Sequence, residues 1–485
     1  MRDMVLIFNF DAACSRSVAR ALRAEHIYCK IVTPELSAEE VSAQQPLGLI
    51  LAGGVNGAVP AGVDPALLSG VWPVLALGDA AAMLCRRLGG DAMETVLCGS
   101  VGAVWFAPCA LTEGLESCER MLRSVRRLRL PGCARVLASC KDETVGFMHD
   151  VLPIYGVQFA LESNDTDGMQ LLLNFALRVC GCTRWWNYDI FIERAAEEIR
   201  QAVGEGQAIC ALTGGLDSAV AALLAQRAVG GRLQCIFIDT GLMRENEGAR
   251  FLAHYRDQAG LSITPVPAQE RFLSVLAGVR DPVEKRHIIG AVLQKTLDET
   301  CEKLGSFTAI LRSTTCSDLM EGKDAASRPG LRGDIPMLEP LRELFKDEVR
   351  QVGARLGIPE AILQRPSFPG SGLALRILGE VTPARLQTLR AADMIFTGEI
   401  TDSGQSKRLR HYFAVLSPLP ENDTQSVVVL RAVQAGESAQ QGYVARLPYD
   451  LLERVTERIL RERPEVVRVV YDLSPSSHAS GGEWQ

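Results

Sequence analysis

The sequence predicts a multidomain α/β protein, and three observations carry that reading. Buried β-rich runs alternate with helical stretches through the first 182 residues. A second strand–loop–helix–strand block opens at Ala208. The chain has 485 residues, room for about three domains at roughly 150 residues each.

In chain order, Val5-Leu6-Ile7-Phe8, Leu49-Ile50-Leu51 and Val74-Leu75-Ala76-Leu77 are apolar without interruption, as parallel strands covered on both faces must be. Gly53-Gly54 follows the second run as a tight turn, and residues 169–179 read as a closing helix. The connector from Thr183 to Tyr188 carries Trp185-Trp186, read as an interdomain packing anchor rather than a ligand platform. Ile192, Ala195, Ala196, Ile199 and Val203 then recur at helical spacing, and Gly204-Glu205-Gly206 stops that helix. The apolar strand Ala208–Leu212 leads into Thr213-Gly214-Gly215-Leu216-Asp217-Ser218, an Ala/Leu helix ending near Ala228, and the strand Cys235–Ile238 closed by Asp239. A Pro/Gly-rich stretch over Ser367–Gly372 marks a boundary. Beyond it, Val427–Leu430, Val467–Tyr471 and a helix over Pro448–Arg463 predict a small α+β module.

Composition narrows the function class. A net charge of −7 argues against a dedicated nucleic-acid surface. The run Val5–Phe10 is broken by Asn9 and is too short for a signal segment, and no stretch approaches a membrane span, so a cytoplasmic protein is expected. Fourteen cysteines without a CxxC pair read as free thiols in a reducing compartment, not as disulfides or a metal site.

The Gly-rich loop carries the chemistry. Gly214 and Gly215 let backbone N–H groups approach an anion, and the helix N-terminus behind them favours negative charge. Thr213 and Ser218 add hydroxyl donors. Asp217 would repel a bare phosphate but fits a site in which Mg²⁺ lies between the two. No lysine follows the glycines, so this is not a Walker loop. A plain Gly-Gly turn is the bland alternative, disfavoured by the strand before, the helix after, and Asp239 at the end of the next strand.

These residues resemble a known family. TGGLDS is similar to the SGGVDS signature of the ATP-pyrophosphatase (PP-loop) group, with Thr213 keeping the hydroxyl of the usual Ser. Phe237–Gly248 looks like the VDNGLLRxNEG segment of GMP synthases, Asp281–Gly290 like their DPExKRKIIG, and Glu339–Arg350 like their EPLRELFKDEVR. Phe368–Leu373 with Arg376–Val381 resembles FPGPGL and its sequel, and Ala445–Asp450 and Arg468–Asp472 resemble the dimerisation domain. The resemblance implies three parts. Residues 1–184 would be a class I glutamine amidotransferase-like α/β domain. Residues 185–366 would be a PP-loop (adenine nucleotide α-hydrolase-like) α/β synthetase domain. Residues 367–485 would be a small α+β dimerisation domain. It implies adenylation of XMP by ATP and displacement of AMP by ammonia, with Mg²⁺ as cofactor and a homodimer as assembly. By the same resemblance Thr213, Gly214, Gly215, Leu216, Asp217, Ser218, Ala219 and Asp239 would hold ATP, Asp217 would help place the metal, and Lys346 and Glu483 are candidates to face the nucleotide substrate.

Two departures stand out. In the family a Cys on a strand–turn–helix elbow attacks glutamine, helped by a His-x-Glu pair. Here Gly78 falls at the Cys and Ala160 at the His, while Glu162 remains, although Ile154–Phe159 keeps the surrounding IYGVQF framework and Leu51–Gly54 resembles the oxyanion-loop segment. A relocated Cys85/His149 pair is the alternative to an inactive domain. The tail keeps Glu483 but has Ser476 or Ser477 where the family has a phosphate-pairing Lys, and the lid segment reads Ser327–Gly333, with Arg328 and Arg332 as anion-binding or solvated residues. Ammonia would then come free or from a separate glutaminase. The competing readings are a PP-loop ligase acting on a different carbonyl substrate and a non-catalytic nucleotide-binding regulator.

Overall fold

The uninterrupted apolar runs become buried strands, because only a sheet covered on both faces can hide every side chain of such a run. The computed structural model describes residues 3–54, 62–159, 166–320, 335–363, 370–419, 422–435 and 442–474. The chain forms two compact units, Met1–Phe191 and Ile192–Gln485.

In the first unit the order is β1 (Val5–Asn9), α1 (Ala12–Ala24), β2 (Cys29–Val32), α2 (Ala38–Gln44), β3 (Gly48–Ala52), β4 (Val74–Leu77), α3 (Asp79–Arg87), β5 (Asp91–Phe106), β6 (Ser117–Arg129), β7 (Ala134–Cys140), β8 (Glu143–His149), β9 (Ile154–Val157) and α4 (Thr166–Leu173). They build one sheet, ordered β2-β1-β3-β4-β9-β8-β7-β5-β6. The β2-to-β9 half is parallel and the rest antiparallel. Asp11 caps α1 by accepting from the Cys14 amide, and Ser37 with Glu40 forms a capping box on α2. The expected closing helix is α4 followed by a wider π turn over Asn174–Val179. The antiparallel half was not legible in the sequence, since its strands are amphipathic or edge-exposed and lack the solid apolar runs.

Trp185 and Trp186 each have partners within the first unit: Trp185 Nε1 donates to the Asp3 carbonyl at 3.1 Å and its ring meets Tyr28 edge-on, while the Trp186 ring meets Tyr188 edge-on at 5.0 Å and its backbone amide donates to the His26 carbonyl at 2.9 Å. An indole needs a partner for its N–H, and the carbonyls nearest in the fold supply it.

The division between units falls inside α5 (Tyr188–Val203). The second unit continues with β10 (Ala208–Leu212), α6 (Leu216–Val229), β11 (Leu233–Asp239), α7 (Glu247–Leu252), β12 (Ile263–Pro267), α8 (Gln269–Leu276), α9 (Pro282–Leu304), β13 (Ala309–Leu311), α10 (Cys316–Met320), β14 (Met337–Leu338), α11 (Lys346–Arg355) and α12 (Glu360–Leu363). Its parallel sheet is ordered β12-β11-β10-β13-β14. A short turn, Gly372–Arg376, leads to α13 (Pro383–Asp402), β15 (Leu409–Leu419), β16 (Asn422–Ala435), β17 (Gly442–Val444), α14 (Tyr449–Glu462) and β18 (Val466–Tyr471), whose strands form a second sheet centred on β16.

The boundary at 366/367 read from composition does not coincide with a division in packing. One apolar cluster takes in Ile209 and Ile236 of the parallel sheet, Leu373 and Ile377, Leu389 and Phe396 of α13, and Val428 and Val455 of the C-terminal module. A charged knot lies in the same region. Asp393 on α13 is 1% exposed; its carboxylate accepts from Arg244 Nε at 2.8 Å and from the Ala414 amide at 3.0 Å, and lies 3.5 Å from Arg376 Nη1. Arg376 also lies 4.3 Å above the Phe413 ring. Burial pushes its guanidinium down to about 10, against the pull of Asp393, so it is charged at neutral pH. Buried Lys285 on α9 donates to the Ala374, Ile377 and Gly379 carbonyls, and burial pushes its ammonium down to about 8. Every cysteine whose side chain is described is a free thiol.

Removing one member of a buried ion cluster leaves the others uncompensated, at about 3–5 kcal/mol. Asp393→Ala should lower the stability of the second unit by that amount, read as a shift of its urea midpoint. Asp393→Asn keeps the shape and should lose nearly as much; near-wild-type stability would show that the charge is immaterial.

Candidate functional site

The candidate site begins where β10 ends. Its last residue, Leu212, is buried, and the chain must turn sharply to start α6. Gly214 makes the turn with φ +78, and a Cβ there would stand 2.4 Å from Met243 Cε. The loop is braced from within: the Thr213 amide donates to Ser218 Oγ at 3.2 Å, and Ser218 Oγ donates to the Gly215 carbonyl at 2.9 Å. No side chain caps α6 at Gly215, so the first-turn amides face outward at the positive end of a 14-residue helix. Ala219 and the residues after it are buried beneath.

Asp217 sits in the first turn of α6. Burial lifts its carboxyl above the usual carboxylate range and Asp318 adds to that, against Lys346 and Arg350. Lys346 opens α11, which packs on α6, and its Nζ lies 3.3 Å from Asp318 Oδ1. Asp318 in turn accepts from the Thr315 amide and hydroxyl at 3.0 and 2.7 Å. Burial raises its carboxyl, but the Thr315 hydroxyl and Lys346 outweigh that and hold it below its ordinary value. The loop, Asp217, Asp318, Lys346 and Arg350 therefore share one electrostatic neighbourhood. Sequence reasoning missed Asp318, although Thr315-x-x-Asp318 is the spacing of a helix capping box and could have placed it.

Asp239 ends β11 beside this loop's strand. Its carboxylate accepts from the Gly241 amide at 3.0 Å and Gln269 Nε2 at 2.7 Å, so it shapes the turn that follows. Among the described residues no group of three or more His, Cys, Asp and Glu is arranged to hold a metal. Asp217 and Asp318 are hard carboxylates of the kind that fit Mg²⁺, which takes one or two protein carboxylates and completes its shell with phosphate and water. Glu483, Ser476, Ser477, Arg328 and Arg332 lie outside the described residues.

In the first unit, β4, Gly78 and α3 form the strand–turn–helix elbow at which a nucleophile would sit. Gly78 has φ +59 and ψ −131. A Cβ on it would stand 2.2 Å from the Gly54 carbonyl oxygen and 2.7 Å from that of Gly53. The Gly54 carbonyl is held there by the Asp79 amide at 2.7 Å. The backbone of the neighbouring loop thus fills the space that a side chain at 78 would need. Ala160 and Glu162 lie outside the described residues. The alternative pair does not assemble. The buried Cys85 thiol points at the Asp91 and Arg129 carbonyls, and burial pushes it up to about 11. His149 Nδ1 accepts from the Val151 and Leu152 amides at 3.1 and 3.0 Å.

The chain is similar along its whole length to proteins of one family. The family profile described as the GMP synthase C terminal domain matches residues 398–484. Over its full length the chain is 37% identical to a protein of Symbiobacterium thermophilum named GMP synthase (glutamine-hydrolyzing), covering 99% of that relative. It is 36% identical to the protein of that name from Thermosynechococcus vestitus, again over the full chain and 97% of the relative. A Parafrankia protein of the same name is 37% identical over the full chain and 97% of its own length.

Two substitutions test the geometry. Gly214→Ala forces a side chain into a left-handed backbone and against Met243, a strain of roughly 1–2 kcal/mol. It should weaken Mg-ATP binding about tenfold or more in calorimetry. Gly78→Cys combined with Ala160→His should leave glutamate release from glutamine at background, because the Gly54 carbonyl occupies the thiol's place; measurable hydrolysis would refute that packing argument.

Proposed function

The chain belongs to the GMP synthase family, and we propose that it is an ATP-dependent ligase that aminates XMP to GMP, releasing AMP and pyrophosphate, on ammonia it does not itself make. The single observation that carries the first part is the full-length likeness to curated GMP synthases. The elbow filled by the Gly54 carbonyl carries the second.

The chemistry follows from the leaving group. A carbonyl oxygen leaves carbon poorly, so the xanthine O2 first attacks the α-phosphorus of ATP and pyrophosphate departs. Ammonia then adds at C2 and AMP carries the oxygen away. Residues 213–218 would hold the departing pyrophosphate through the uncapped amides of α6 and the Thr213 hydroxyl. Lys346, tethered by Asp318, would lie against the phosphates as a fixed positive charge. Mg²⁺ bound at Asp217 would neutralise the charge that accumulates on the pyrophosphate. Ala219 supports the cradle from below, Asp239 shapes its neighbouring turn, and Glu483 is the acceptor-side candidate.

The domain reading retained is 1–184 amidotransferase-like and inactive, 185–366 synthetase, 367–485 dimerisation. A homodimer is supported by the exposed Tyr443, Tyr449, Val467, Val470 and Leu473 of the C-terminal module. A separate glutaminase is the partner that would supply ammonia. No helix among the described residues is long and apolar enough to cross a membrane, in keeping with a cytoplasmic site of action.

The purified chain with Mg-ATP, XMP and ammonium should yield AMP and GMP in equal amounts. With glutamine replacing ammonium, GMP should not rise above background. ATP–pyrophosphate exchange indifferent to XMP would favour a ligase acting on another carbonyl substrate. ATP binding without turnover would favour a regulator.

A further inference from the structure

The loop between β11 and α7, residues 240–246, carries Met243, whose Cε stands 2.4 Å from where a Cβ on Gly214 would be. What holds that loop is not the nucleotide site itself. Three successive carbonyls, those of Gly241, Leu242 and Met243, are gripped from the chain beyond residue 370. Arg390 on α13 donates from Nη2 to the Gly241 carbonyl and from Nε to the Met243 carbonyl, the latter at 2.8 Å. The Leu373 amide donates to the Leu242 carbonyl at 2.8 Å. The next residue, Arg244, is bound to Asp393 of the same helix at 2.8 Å. Each of the four residues 241–244 is therefore held by one bond from beyond residue 370.

We propose that Arg390 is a positioning residue for Mg-ATP. It sets the backbone of Gly241–Met243, this seats the Met243 side chain under Gly214, and the Gly214 turn aims the α6 amides at the phosphates. The inference rests on the assignment of residues 213–218 to ATP made above. Its physical basis is that Gly214, at φ +78, has no side chain of its own to lock the turn. A guanidinium suits the task because its rigid planar fork sends N–H groups from different nitrogens in fixed directions, whereas the donors of an ammonium all radiate from one atom on a flexible stem. A merely structural Arg390 would change stability and leave nucleotide affinity alone. A residue acting through Met243 must lose its effect when Met243 is absent.

The experiment measures Mg-ATP affinity by calorimetry, without acceptor, for the full chain and for R390M, R390K, M243A, R390M/M243A and R390K/M243A. R390M and M243A should each weaken Mg-ATP by about tenfold, within the usual range of coupling between sites. The double variant should be no weaker than the weaker single, because both changes break one path. In the ammonium assay KM for XMP should stay within about twofold of wild type while KM for ATP rises. Should R390M fail to fold, R390K carries the test: it should lose about threefold in affinity, a loss absent in the M243A background. Unchanged Mg-ATP affinity in a folded Arg390 variant, or effects of the two sites that multiply, overturns the proposal. Wild-type protein that binds no Mg-ATP instead overturns the assignment of the loop on which it rests.

Discussion

The second unit is organised around one buried carboxylate. Asp393 is 1% exposed, and a charge so placed is tolerable only if its oxygens are fully engaged. It engages Arg244 from the loop after β11, Arg376 from the turn before α13, and the Ala414 amide in the middle of the buried part of β15. Three pieces of chain far apart in sequence must therefore meet at one point before that charge is satisfied. Hydrophobic burial brings them near each other, and the carboxylate specifies the register in which they meet. This is why the apolar cluster runs without a break from Ile209 to Val466.

Two glycine turns, at Gly78 and Gly214, share one geometry with different neighbours. Both follow a buried parallel strand, both open a helix, and both use positive φ. At Gly214 the place of a Cβ is taken by the Met243 side chain, and no side chain caps the first turn of α6. At Gly78 the equivalent space is closed by the Gly54 carbonyl, itself bonded to the Asp79 amide. Strand–helix packing needs the turn at Gly78 whatever side chain stands there, since the turn is made by backbone. The long β5–β6 hairpin and the parallel half of the sheet stay intact around it.

Much was legible from residues alone. Uninterrupted apolar runs gave β1, β3, β4, β10 and β11 within a residue or two, because a strand buried on both faces leaves no room for a polar residue. Helical spacing gave α5 and α14, and the glycines located both turns. The antiparallel strands β5 to β8 were not legible, since an alternating or edge strand carries a weaker pattern than a buried one. The partners of Trp185 and Trp186 were not legible, because an aromatic dipeptide shows that it packs, not on what.

The sequence by itself determined the family and the residue types along the chain, among them the Thr213–Ser218 loop with Asp217, a glycine at 78 and an alanine at 160. Those are properties of residue type at a position, which a chain carries before it folds. Tertiary structure alone decided that Asp318 holds Lys346, that Gly54 closes the elbow, and that Arg390 and Asp393 grip the loop bearing Met243. Each is a contact between segments tens to more than a hundred residues apart, and local pattern has no reach over that separation. Only packing, by removing water from these groups together, makes their pairing obligatory.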